Sequence, residues 1–548
     1  MSLRSEVLRK VLLVLVLSYV FFFLGNGVLN FTNPDEVFYS QTAKEMMKHN
    51  SWQTPYLFDK PQFEKPIMTY WLLRIAFEVG GVTPFAARFF PALFATIGIV
   101  AIYFFGIVAF RNTRKAFLSA LVMMSSAFYI GLARTVFTDM IFTVFILLSM
   151  LSFYWAYTNP HRKTHGIIWF FIFAALATLT KGPLGIGLPV IAVIVFLALR
   201  KELSFVVAGA TLWGALLFCM IAVPWYALMI KWYGHDFTHE FFYNDHWRRL
   251  IEAEHRKLDH WHFYPVSTIG AFFPWSLFLL SALFFYFKDL WRKKGTFFVF
   301  AGCWIGVMFV LFQCAHSKLL SYIFPFFPAL ALITGNFLAE QEDKKGKLIF
   351  VLSLITAVFL TILPLGLVIA AHQFPQYIPS AKPIYFFAIV LLLYAAVTLR
   401  CVIRRNFVWF NYLVSLILPL LVGCAFVMAN TYDVYISSKQ PAEFLLKNYR
   451  IHGKILCSKK MARGVRFYTD KDVAIEDING EGYFSEHPVI HNQTVDEARA
   501  FLASQPETYC ILGKSDACDL RDSVAGLGFR VEFLKIFGQT YVVRITKK

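Results

Sequence analysis

Long apolar runs constrain the fold of this 548-residue chain more than any other feature of its sequence. Each run is about 20 residues long, the length of helix that spans ~30 Å of hydrocarbon. Hydrophobic residues make up 58% of the chain and charged residues 16%, against roughly 45–50% and about 25% in soluble domains. The sequence therefore predicts a polytopic α-helical membrane protein. It excludes a disordered chain, a collagen-like fibre and a disulfide-stapled secreted scaffold.

The apolar runs predict about 13 transmembrane helices. They cover residues 11–29, 84–110, 116–133, 139–158, 166–180, 183–199, 204–230, 264–287, 296–314, 319–339, 348–371, 383–399 and 407–430. The first run follows Arg4, Arg9 and Lys10 and lacks the cleavage signature of a signal peptide. We therefore expect a retained first helix with its N-terminus in the cytoplasm. Because the number of spans is odd, we expect the C-terminus outside.

The distribution of basic residues supports this topology, because the positive-inside rule places lysine and arginine in the cytoplasmic connections. The basic residues of the predicted inner connections are Arg111, Arg114, Lys115, Arg162, Lys163, Arg200, Lys201, Lys288, Arg292, Lys293, Lys294, Lys344, Lys345, Lys347, Arg400, Arg404 and Arg405. The short outer connections hold one basic residue each: Arg134, Lys181, Lys318 and Lys382. Much of the net charge of +18 therefore marks orientation and contact with anionic membrane lipids, and nucleic acid is not an expected partner.

Three predicted outer segments are too long to be simple connections. They are residues 30–83, residues 231–263 and the tail from residue 431. The tail has the composition of a soluble domain, with strand-like runs at 453–457, 508–512 and 539–545. We therefore predict a transmembrane domain over residues 1–430 and an exoplasmic α/β domain over residues 431–548. In an oxidising compartment, two of the three tail cysteines, Cys457, Cys510 and Cys518, could form a disulfide.

The first candidate site follows the first span directly, at Asn33-Pro34-Asp35-Glu36. Asn33 as the N-cap, with Glu36 completing a box-like cap, would explain the motif by helix capping alone. This interpretation of Glu36 stands beside a catalytic one. Asp35 favours catalysis, because a carboxylate at the membrane boundary is costly unless it has a function.

The same outer segment continues with Lys60-Pro61-Gln62-Phe63-Glu64-Lys65-Pro66 and then Tyr70. Two prolines restrict the backbone around an acid and a base, which favours a rigid site. Lys65 is a suitable phosphate ligand because its ammonium is a compact charge on a long stem. The alternative is that Glu64 and Lys65 are ordinary surface residues.

Further polar residues lie at helix ends that the topology places on the same outer side. They are Arg134, Asp139, Lys181, His316, Lys318 and Tyr322. Any one of them could be a topological anchor, but helix ends that share one side of a bundle can line one cavity. We therefore predict that they contribute to a common site.

The segment 231–263 contains the densest cluster of titratable residues in the chain. Arg249, His255 and Arg256 favour phosphate binding there, because arginine offers a bidentate fork to phosphate oxygens. A divalent metal ion remains an alternative, with Glu64 and His255 as candidate ligands. No compact metal-binding motif and no metal-type cysteine spacing occurs in the sequence, so no cofactor is predicted with certainty.

Four motifs in their order along the chain resemble those of the bacterial 4-amino-4-deoxy-L-arabinose lipid A transferases. They are Asn-Pro-Asp-Glu-x-x-Tyr at 33–39, Phe-Glu-Lys-Pro-x-x-x-Tyr-Trp at 63–71, Thr-Lys-Gly at 180–182 and Lys-Leu-x-x-Tyr at 318–322. This family belongs with the protein O-mannosyltransferases among the GT-C glycosyltransferases. The resemblance covers essentially the whole chain and implies a GT-C fold with a periplasmic C-terminal domain. The chain departs from the family pattern at Phe38 and Gln62.

The resemblance also implies roles for individual residues. Asp35 is similar to the family's acidic residue at the catalytic centre, with Glu36 and Asp139 as further catalytic candidates. The residues implied in substrate binding are Tyr39, Glu64, Lys65, Tyr70, Lys181, Arg249, His255, Arg256, Lys318 and Tyr322. The implied donor is a sugar linked to undecaprenyl phosphate, and the implied acceptor is lipid A at the periplasmic face of the bacterial inner membrane.

The expected activity is glycosyl transfer in which cations and a tyrosine hydroxyl stabilise the charge that develops on the lipid phosphate. A related transferase could act on another glycan, lipid or protein acceptor. A transporter or flippase for a lipid-linked saccharide is the alternative from another class, but it predicts charges at the bilayer midplane and internal repeats. A non-catalytic scaffold for polysaccharide assembly is a third possibility.

Overall fold

The computed structural model describes residues 3–207, 209–253, 258–293, 295–374, 382–478, 488–524 and 528–548. Two residues with predicted roles, His255 and Arg256, lie outside these ranges. Helices dominate the chain up to residue 448, and a mixed sheet follows.

The first part of the chain is helical apart from one short hairpin. Its elements in order are α1 (Leu3–Ser18), a π-helical turn (Tyr19–Phe23), α2 (Asp35–Lys48), β1 (Tyr56–Leu57), β2 (Lys60–Pro61), α3 (Met68–Gly80), α4 (Pro84–Phe110), α5 (Thr113–Met124), α6 (Ala127–Ala133), α7 (Thr138–Thr158), α8 (Lys163–Lys181), α9 (Leu184–Arg200) and α10 (Gly209–Thr238).

The second part of the helical region begins with a π-helix (His239–Arg248). It continues with α11 (Arg249–Ile251), α12 (Phe263–Ala271), α13 (Ser276–Lys293), α14 (Thr296–Cys314), a 3-10 helix (Leu320–Phe326), α15 (Phe327–Lys344), α16 (Lys347–Gln373), α17 (Lys382–Ile403), α18 (Phe407–Val427), α19 (Ala429–Ile436) and α20 (Lys439–Asn448).

Each of the predicted apolar runs contains helix in the structure. Within the described residues, nine helices are long and apolar enough to cross a membrane, and the bent pair α5 and α6 makes ten if it is one span. Two shorter apolar helices, Leu184–Arg200 and Ser276–Lys288, coincide with two further runs. The first run corresponds to α1 and its π-helical continuation. The prediction of a polytopic helical membrane protein is confirmed, although several of its spans are shorter or more bent than the runs suggested.

The helices pack around one large apolar core in which α5 and α15 lie in close contact. At their crossing, a Cβ atom added to Gly335 would lie 2.3 Å from the backbone nitrogen of Ser119. Only glycine permits this separation, as is common where membrane helices approach closely.

The segment 231–263 was predicted as a loop outside the membrane, but much of its described part is helical. Helix α10 continues through a break at Gly234 into the π-helix, and α11 ends at Ile251. Gly234 has φ of 51°, a left-handed conformation that glycine adopts without steric cost. The titratable cluster of this segment therefore lies largely on helix, which fixes the direction of its side chains.

The C-terminal residues form a three-layer domain around a six-stranded sheet of order β5-β4-β3-β6-β8-β7. Its further elements are β3 (Ile455–Ser458), α21 (Ala462–Thr469), β4 (Val473–Glu476), β5 (Ile490–Asn492), α22 (Val495–Ala503), β6 (Glu507–Gly513), α23 (Lys514–Val524), β7 (Phe529–Phe537) and β8 (Thr540–Lys547). Strands β3 to β6 are parallel, and β7 and β8 add antiparallel. Apolar residues of α20 and α21 pack on one face of the sheet and those of α22 and α23 on the other. The predicted strands and the α/β class are confirmed.

Polar contacts hold this domain against α2 and the segment that precedes it. Asn33 Nδ2 donates to Ser438 Oγ at 2.7 Å, and Lys44 Nζ lies 2.6 Å from Asp470 Oδ1. Arg466 on α21 forms ion pairs with Asp59 and, at 2.8 Å, with Asp472. Since α2 carries Asp35 at its first residue, the C-terminal domain packs on the element that presents the main candidate acid.

The sequence left open a disulfide between two of the three tail cysteines, and the structure shows none. Cys457, Cys510 and Cys518 are all free thiols. Leu456 pairs with Cys510 across the parallel strands, so Cys457 and Cys510 point to opposite faces of the sheet. This register prevents their sulfur atoms from meeting.

Candidate active site

A cavity of about 1920 Å³ lies between the helix ends and the C-terminal sheet. The predicted site residues that line it are Asp35, Tyr39, Glu64, Lys65, Asp139, Lys181, Arg249 and Tyr322. The structure therefore brings together residues from positions 35 to 322 of the chain. Among the polar helix ends predicted to share one site, Asp139, Lys181 and Tyr322 line this cavity. The described lining does not include the other three, Arg134, His316 and Lys318.

Asp35 is the first residue of α2, and Tyr39 lies one turn further along the same helix. Burial, together with the nearby Tyr70 and the carboxylates of Asp139 and Asp35, raises the pKa of Tyr39 well above its usual value. Tyr39 therefore stays a neutral hydrogen-bonding group between two acids of the cavity wall.

Helix α2 is not capped as predicted. Asn33 contacts Ser438 and makes no side-chain cap, because Pro34 is the N-cap residue. Glu36 accepts a hydrogen bond from the backbone nitrogen of Thr32 at 3.0 Å, so it does satisfy a donor before the helix.

Glu36 differs from Asp35 in its surroundings. It is fully buried, and its carboxylate lies 2.6 Å from Arg88 Nη2 and accepts from the backbone nitrogen of Val136 at 3.0 Å. Among the described residues, those that line the cavity do not include Glu36. The structure thus places Glu36 in a buried ion pair behind the cavity wall.

The carboxylate of Asp245 holds two cations of the cavity, Lys65 and Arg249. Lys65 Nζ lies 2.8 Å from both carboxylate oxygens of Asp245, and Arg249 Nη1 lies 2.9 Å from Asp245 Oδ1. The side chain of Asp245 is 7% exposed and that of Lys65 is 12% exposed. Because Asp245 and Arg249 are four residues apart on helix, they face the same direction. Both cations are therefore held at fixed positions at the edge of the cavity.

A second ion pair lies where α7 begins and α8 ends. Lys181 Nζ contacts the Asp139 carboxylate and lies 5.0 Å from the centre of the Tyr322 ring. Arg249 Nη1 donates to the Tyr322 hydroxyl at 3.4 Å. Tyr322 therefore connects the Asp139–Lys181 pair with the Lys65–Asp245–Arg249 group.

Gly182 permits the close approach of the segment around His246. Its φ is 79°, and an added Cβ would lie 2.5 Å from His246 Nε2. Since an L side chain rarely adopts this backbone conformation, the Thr-Lys-Gly motif needs glycine at this position.

Glu64 lies between the lysine of its own motif and the C-terminal domain. Burial raises the pKa of the Glu64 carboxyl above its usual value, although the charges of Arg463 and Lys65 act in the opposite direction. Tyr70 lies behind this region: it is fully buried, and its hydroxyl accepts from Gln62 Nε2 at 2.6 Å. Among the described residues, the cavity lining includes Glu64 and not Tyr70.

The other predicted residues are not brought into the cavity. Lys318 is buried and pairs with Asp259 at 2.5 Å, and it is absent from the described part of the cavity lining. His255 and Arg256 lie in the segment 254–257, which is outside the described residues. The described residues contain no group of three His, Cys, Asp or Glu side chains arranged to hold a metal ion.

Several cavity residues were not singled out from the sequence. They are Asp245, His246, Lys459, Lys460, Arg463, Glu476, Asp477, Lys514, Asp516 and Asp519. Asp245 and His246 belong to the dense titratable segment, so their region was identified without their individual roles. The remaining eight belong to the C-terminal domain, whose docking over the cavity has no local sequence signal.

The membrane side of the cavity is apolar. Phe128, Leu132, Phe137, Leu184, Leu311, Phe312 and Leu320 line it below the charged groups. Such a cavity suits an amphiphile whose chain lies against the helices and whose anionic group meets the cations. Arginine, lysine and a tyrosine hydroxyl around one point can bind a phosphate and stabilise negative charge that develops on it.

Comparison with solved structures defines the class of fold. A crystal structure of ArnT from Cupriavidus metallidurans bound to undecaprenyl phosphate superposes with a TM-score of 0.75 at 17% identity, covering 99% of this chain and 98% of that one. An oligosaccharyltransferase from Archaeoglobus fulgidus superposes with a TM-score of 0.56 at 12% identity, covering 93% and 70%. The chain therefore has the GT-C fold.

Comparison with protein sequences identifies the branch of this class. A family profile described as dolichyl-phosphate-mannose-protein mannosyltransferase matches residues 7–240. An uncharacterized protein of Aquifex aeolicus is 32% identical over 365 residues, which are 66% of this chain and 70% of that protein. Relatives named undecaprenyl phosphate-α-4-amino-4-deoxy-L-arabinose arabinosyl transferase are 30% identical in Proteus mirabilis, over 57% of this chain and 56% of the relative, and 28% identical in Erwinia tasmaniensis, over 75% and 74%. The chain belongs to this arabinosyltransferase family.

Proposed function

We propose that the protein transfers 4-amino-4-deoxy-L-arabinose from undecaprenyl phosphate to a phosphate of lipid A. The observation that carries the proposal is the cavity itself, in which Asp35 and the cations Lys65, Lys181 and Arg249 meet above an apolar wall. The named relatives support the choice of donor, because arabinosyl transfer from undecaprenyl phosphate stands in their names.

Lys65, Arg249 and Tyr322 bind the donor phosphate in this proposal. During transfer, the bond between the sugar carbon C1 and the phosphate oxygen breaks, and undecaprenyl phosphate leaves with the electron pair. Lys65 and Arg249 stabilise the negative charge that collects on the leaving phosphate, in a partly water-excluded site where such contacts are strong. The ring of Tyr322 and the Asp139–Lys181 pair position this end of the donor.

Asp35 acts at the sugar. C1 gains positive character as the bond to the phosphate breaks, and a carboxylate beside it stabilises that charge. A lipid A phosphate is already a nucleophile at neutral pH, so its oxygen attacks C1 without loss of a proton, and Asp35 orients it. With a hydroxyl acceptor, the proton would pass to Asp35 as general base.

The remaining candidates act through these groups. Tyr39 is held near Asp35 and Asp139 as a neutral hydroxyl, and Glu64 lies between Lys65 and Arg463. Tyr70 and Glu36 support the cavity wall from behind, and Lys318, just before the 3-10 helix, pairs with Asp259. Phosphate binding by His255 and Arg256, and a metal ion between Glu64 and His255, remain sequence-based predictions.

We place the cavity and the C-terminal domain on the periplasmic side of the bacterial inner membrane. The distribution of basic residues supports this orientation, because the lysine and arginine clusters of the connections alternate with connections that hold one basic residue. The C-terminal domain follows α18 on the side of the cavity, so site and domain share one compartment in this proposal.

The experiment that tests donor and acceptor together uses purified protein in nanodiscs with undecaprenyl phosphate-aminoarabinose and lipid A. Mass spectrometry should show lipid A gaining the mass of one aminoarabinose residue. An unchanged lipid A, with the sugar transferred to another added glycan, lipid or protein, would support the alternative of a related transferase. Failure of any transfer from this donor would overturn the proposed function.

A further inference from the structure

The roof of the cavity is the edge of the C-terminal sheet at which its parallel strands end. The residues that follow β3, β4 and β6, namely Lys459, Lys460, Asp477 and Lys514, all line the cavity. From β3 the chain continues to β4 on one side, whereas β6 lies on the other side of β3. Ligands of open parallel sheets bind in the crevice that such a reversal opens at the carboxyl ends of the strands.

Cations of this edge face the same space as the candidate catalytic residues. Arg463, in the first turn of α21, has its guanidinium 4.5 Å from the centre of the Phe38 ring, three residues beyond Asp35. Its charge acts on Glu64, a neighbour of Lys65. Lys460 and Lys514 are exposed and form no ion pair with any residue that the structure describes. The edge therefore adds further cations to the cavity, beside those of the helix ends.

Glu476, the last residue of β4, contributes a hydrogen-bond donor without a partner. It lines the cavity, is 3% exposed, and its carboxyl makes no hydrogen bond to a side chain or backbone group of the described residues. Burial and the charges of Asp516, Asp519 and Asp477 raise the pKa of Glu476 to about 8. At neutral pH most of this carboxyl is protonated, and a ligand oxygen would satisfy its donor.

We propose that this sheet edge is the acceptor half of the active site and binds a phosphorylated saccharide. Arg463 and Lys514 bind its phosphate, and the Glu476 carboxyl donates to one of its oxygens. The proposal rests on the proposed function, because it assigns the edge to the acceptor of that reaction.

The mixture of charges on the edge favours a sugar phosphate over a simple anion. Asp516 and Asp519 line the cavity and lie close enough to Glu476 for their charges to act on it, and Asp477 pairs with Lys459 at 2.8 Å. Carboxylates accept hydrogen bonds from hydroxyl groups, and a saccharide offers several of these around its ring, whereas sulfate offers none. Bidentate arginine and a lysine meet the phosphate.

The test measures binding of glucosamine 1-phosphate to the full-length protein in phosphatidylcholine nanodiscs, without any donor sugar. Arg463→Gln and Lys514→Gln should each weaken binding about tenfold, the effect of one hydrogen bond to a charged group. Lys514 is exposed, so its variant does not threaten the fold. Arg499→Gln is the matched control, because Arg499 is an exposed arginine of α22 in the same domain and outside the cavity lining.

Three results would overturn the proposal. One is equal binding of glucosamine 1-phosphate by the wild type and both cavity variants. Another is inorganic phosphate that binds as tightly as the sugar phosphate. The third is a loss of undecaprenyl phosphate binding in these variants, which would assign the edge to the donor. Because no transfer occurs in this experiment, an inactive wild type would overturn the proposed function and leave the binding result intact.

The role of Glu476 predicts a pH dependence of the same binding. The charged and titratable groups facing it are Asp477, Asp516, Asp519 and Cys510, with Lys459 paired to Asp477. Below a pH of about 8 the protonated carboxyl donates to the ligand, and above it the carboxylate repels the phosphate. Binding of glucosamine 1-phosphate should therefore weaken severalfold between pH 7 and 9.5. Glu476→Gln should retain binding and abolish this dependence on pH. An unchanged pH profile in Glu476→Gln would contradict the role.

Discussion

Lys65 and Asp245 form an ion pair across 180 residues of sequence, with the lysine nitrogen 2.8 Å from both carboxylate oxygens. The same carboxylate holds Arg249 at 2.9 Å. Two cations on one acid leave a net positive charge at a fixed place, and neither cation has to be ordered again when a phosphate arrives. This preorganisation is what electrostatic stabilisation of a leaving phosphate requires.

Replacing Asp245 by asparagine should separate positioning from attraction. Removal of the negative charge leaves the attraction of the site for a phosphate at least as strong, so the affinity for undecaprenyl phosphate should not fall. Lys65 loses its fixed position, however, and a displacement of about 1 Å costs about 100-fold in rate. We expect kcat to fall by about 10- to 100-fold, with partial recovery in Asp245→Glu. A loss of donor affinity that exceeds the loss of kcat would show that Asp245 has a different role.

Loss of the Glu36 carboxylate should lower the stability of the protein, whereas loss of the neighbouring Asp35 carboxylate should lower the rate of transfer. Glu36→Gln leaves the 4%-exposed guanidinium of Arg88 without its counter-charge, and breaking one partner of a buried ion pair costs ~3–5 kcal/mol. Thermal unfolding in detergent should show a clear decrease in stability. Glu78→Gln is the control, because the Arg74–Glu78 pair has a 41%-exposed carboxylate and its loss should cost about 1 kcal/mol or less. Equal stability of both variants would contradict a structural role for Glu36.

Gly182 should be the sensitive glycine of the segment that joins α8 and α9. Gly182→Ala places a methyl carbon 2.5 Å from His246 Nε2 and strains a backbone with φ of 79°. We expect it to move Lys181 or His246 and to lower the transfer rate at least tenfold. Gly187→Ala is the matched control five residues away, because a Cβ there meets nothing within 4 Å. Comparable activity of the two alanine variants would contradict this packing.

The docking of the C-terminal domain can be tested at Gly464. An added Cβ would lie 2.2 Å from Asn33 Oδ1, so Gly464→Ala should loosen α21 from the start of α2. We expect faster limited proteolysis between the helical region and the C-terminal domain. Adding Asn33→Ala removes the clashing oxygen and should restore part of the protection. No difference between the single and double variants would show that another contact controls docking.

Much of the architecture could be predicted because membrane helices and parallel strands have strong local patterns. The shared side of polar helix ends also predicted a common site for Asp139, Lys181 and Tyr322, which line the cavity, and for Arg134, His316 and Lys318, which are not in its described lining. Their location on one side follows from the membrane topology, which the distribution of lysine and arginine indicates. The bending of α5 against α6 and the helical continuation beyond residue 231 depend on packing between distant segments, and apolar runs do not report it.

The parts of the site that were missed depend on contacts between distant parts of the chain. Arg463 and Glu476 reach the cavity only because their domain docks on α2, more than 400 residues earlier in the sequence. Arg88 did leave a signal: a lone arginine inside the apolar run 84–110 is costly and needs a buried acid. Glu36 is that acid, so a buried ion pair with Arg88 is a third role for Glu36 beside capping and catalysis.

The central claim is that Asp35 acts on the sugar that the cations of this cavity hold by its phosphate. The most direct measurement is the rate of transfer from radiolabelled undecaprenyl phosphate-aminoarabinose to lipid A by wild-type protein and Asp35→Asn in nanodiscs, together with undecaprenyl phosphate binding. We predict that Asp35→Asn retains the thermal stability and the lipid phosphate affinity of the wild type and loses at least 100-fold in transfer. Transfer within tenfold of the wild type would contradict the assignment of Asp35 as the catalytic carboxylate.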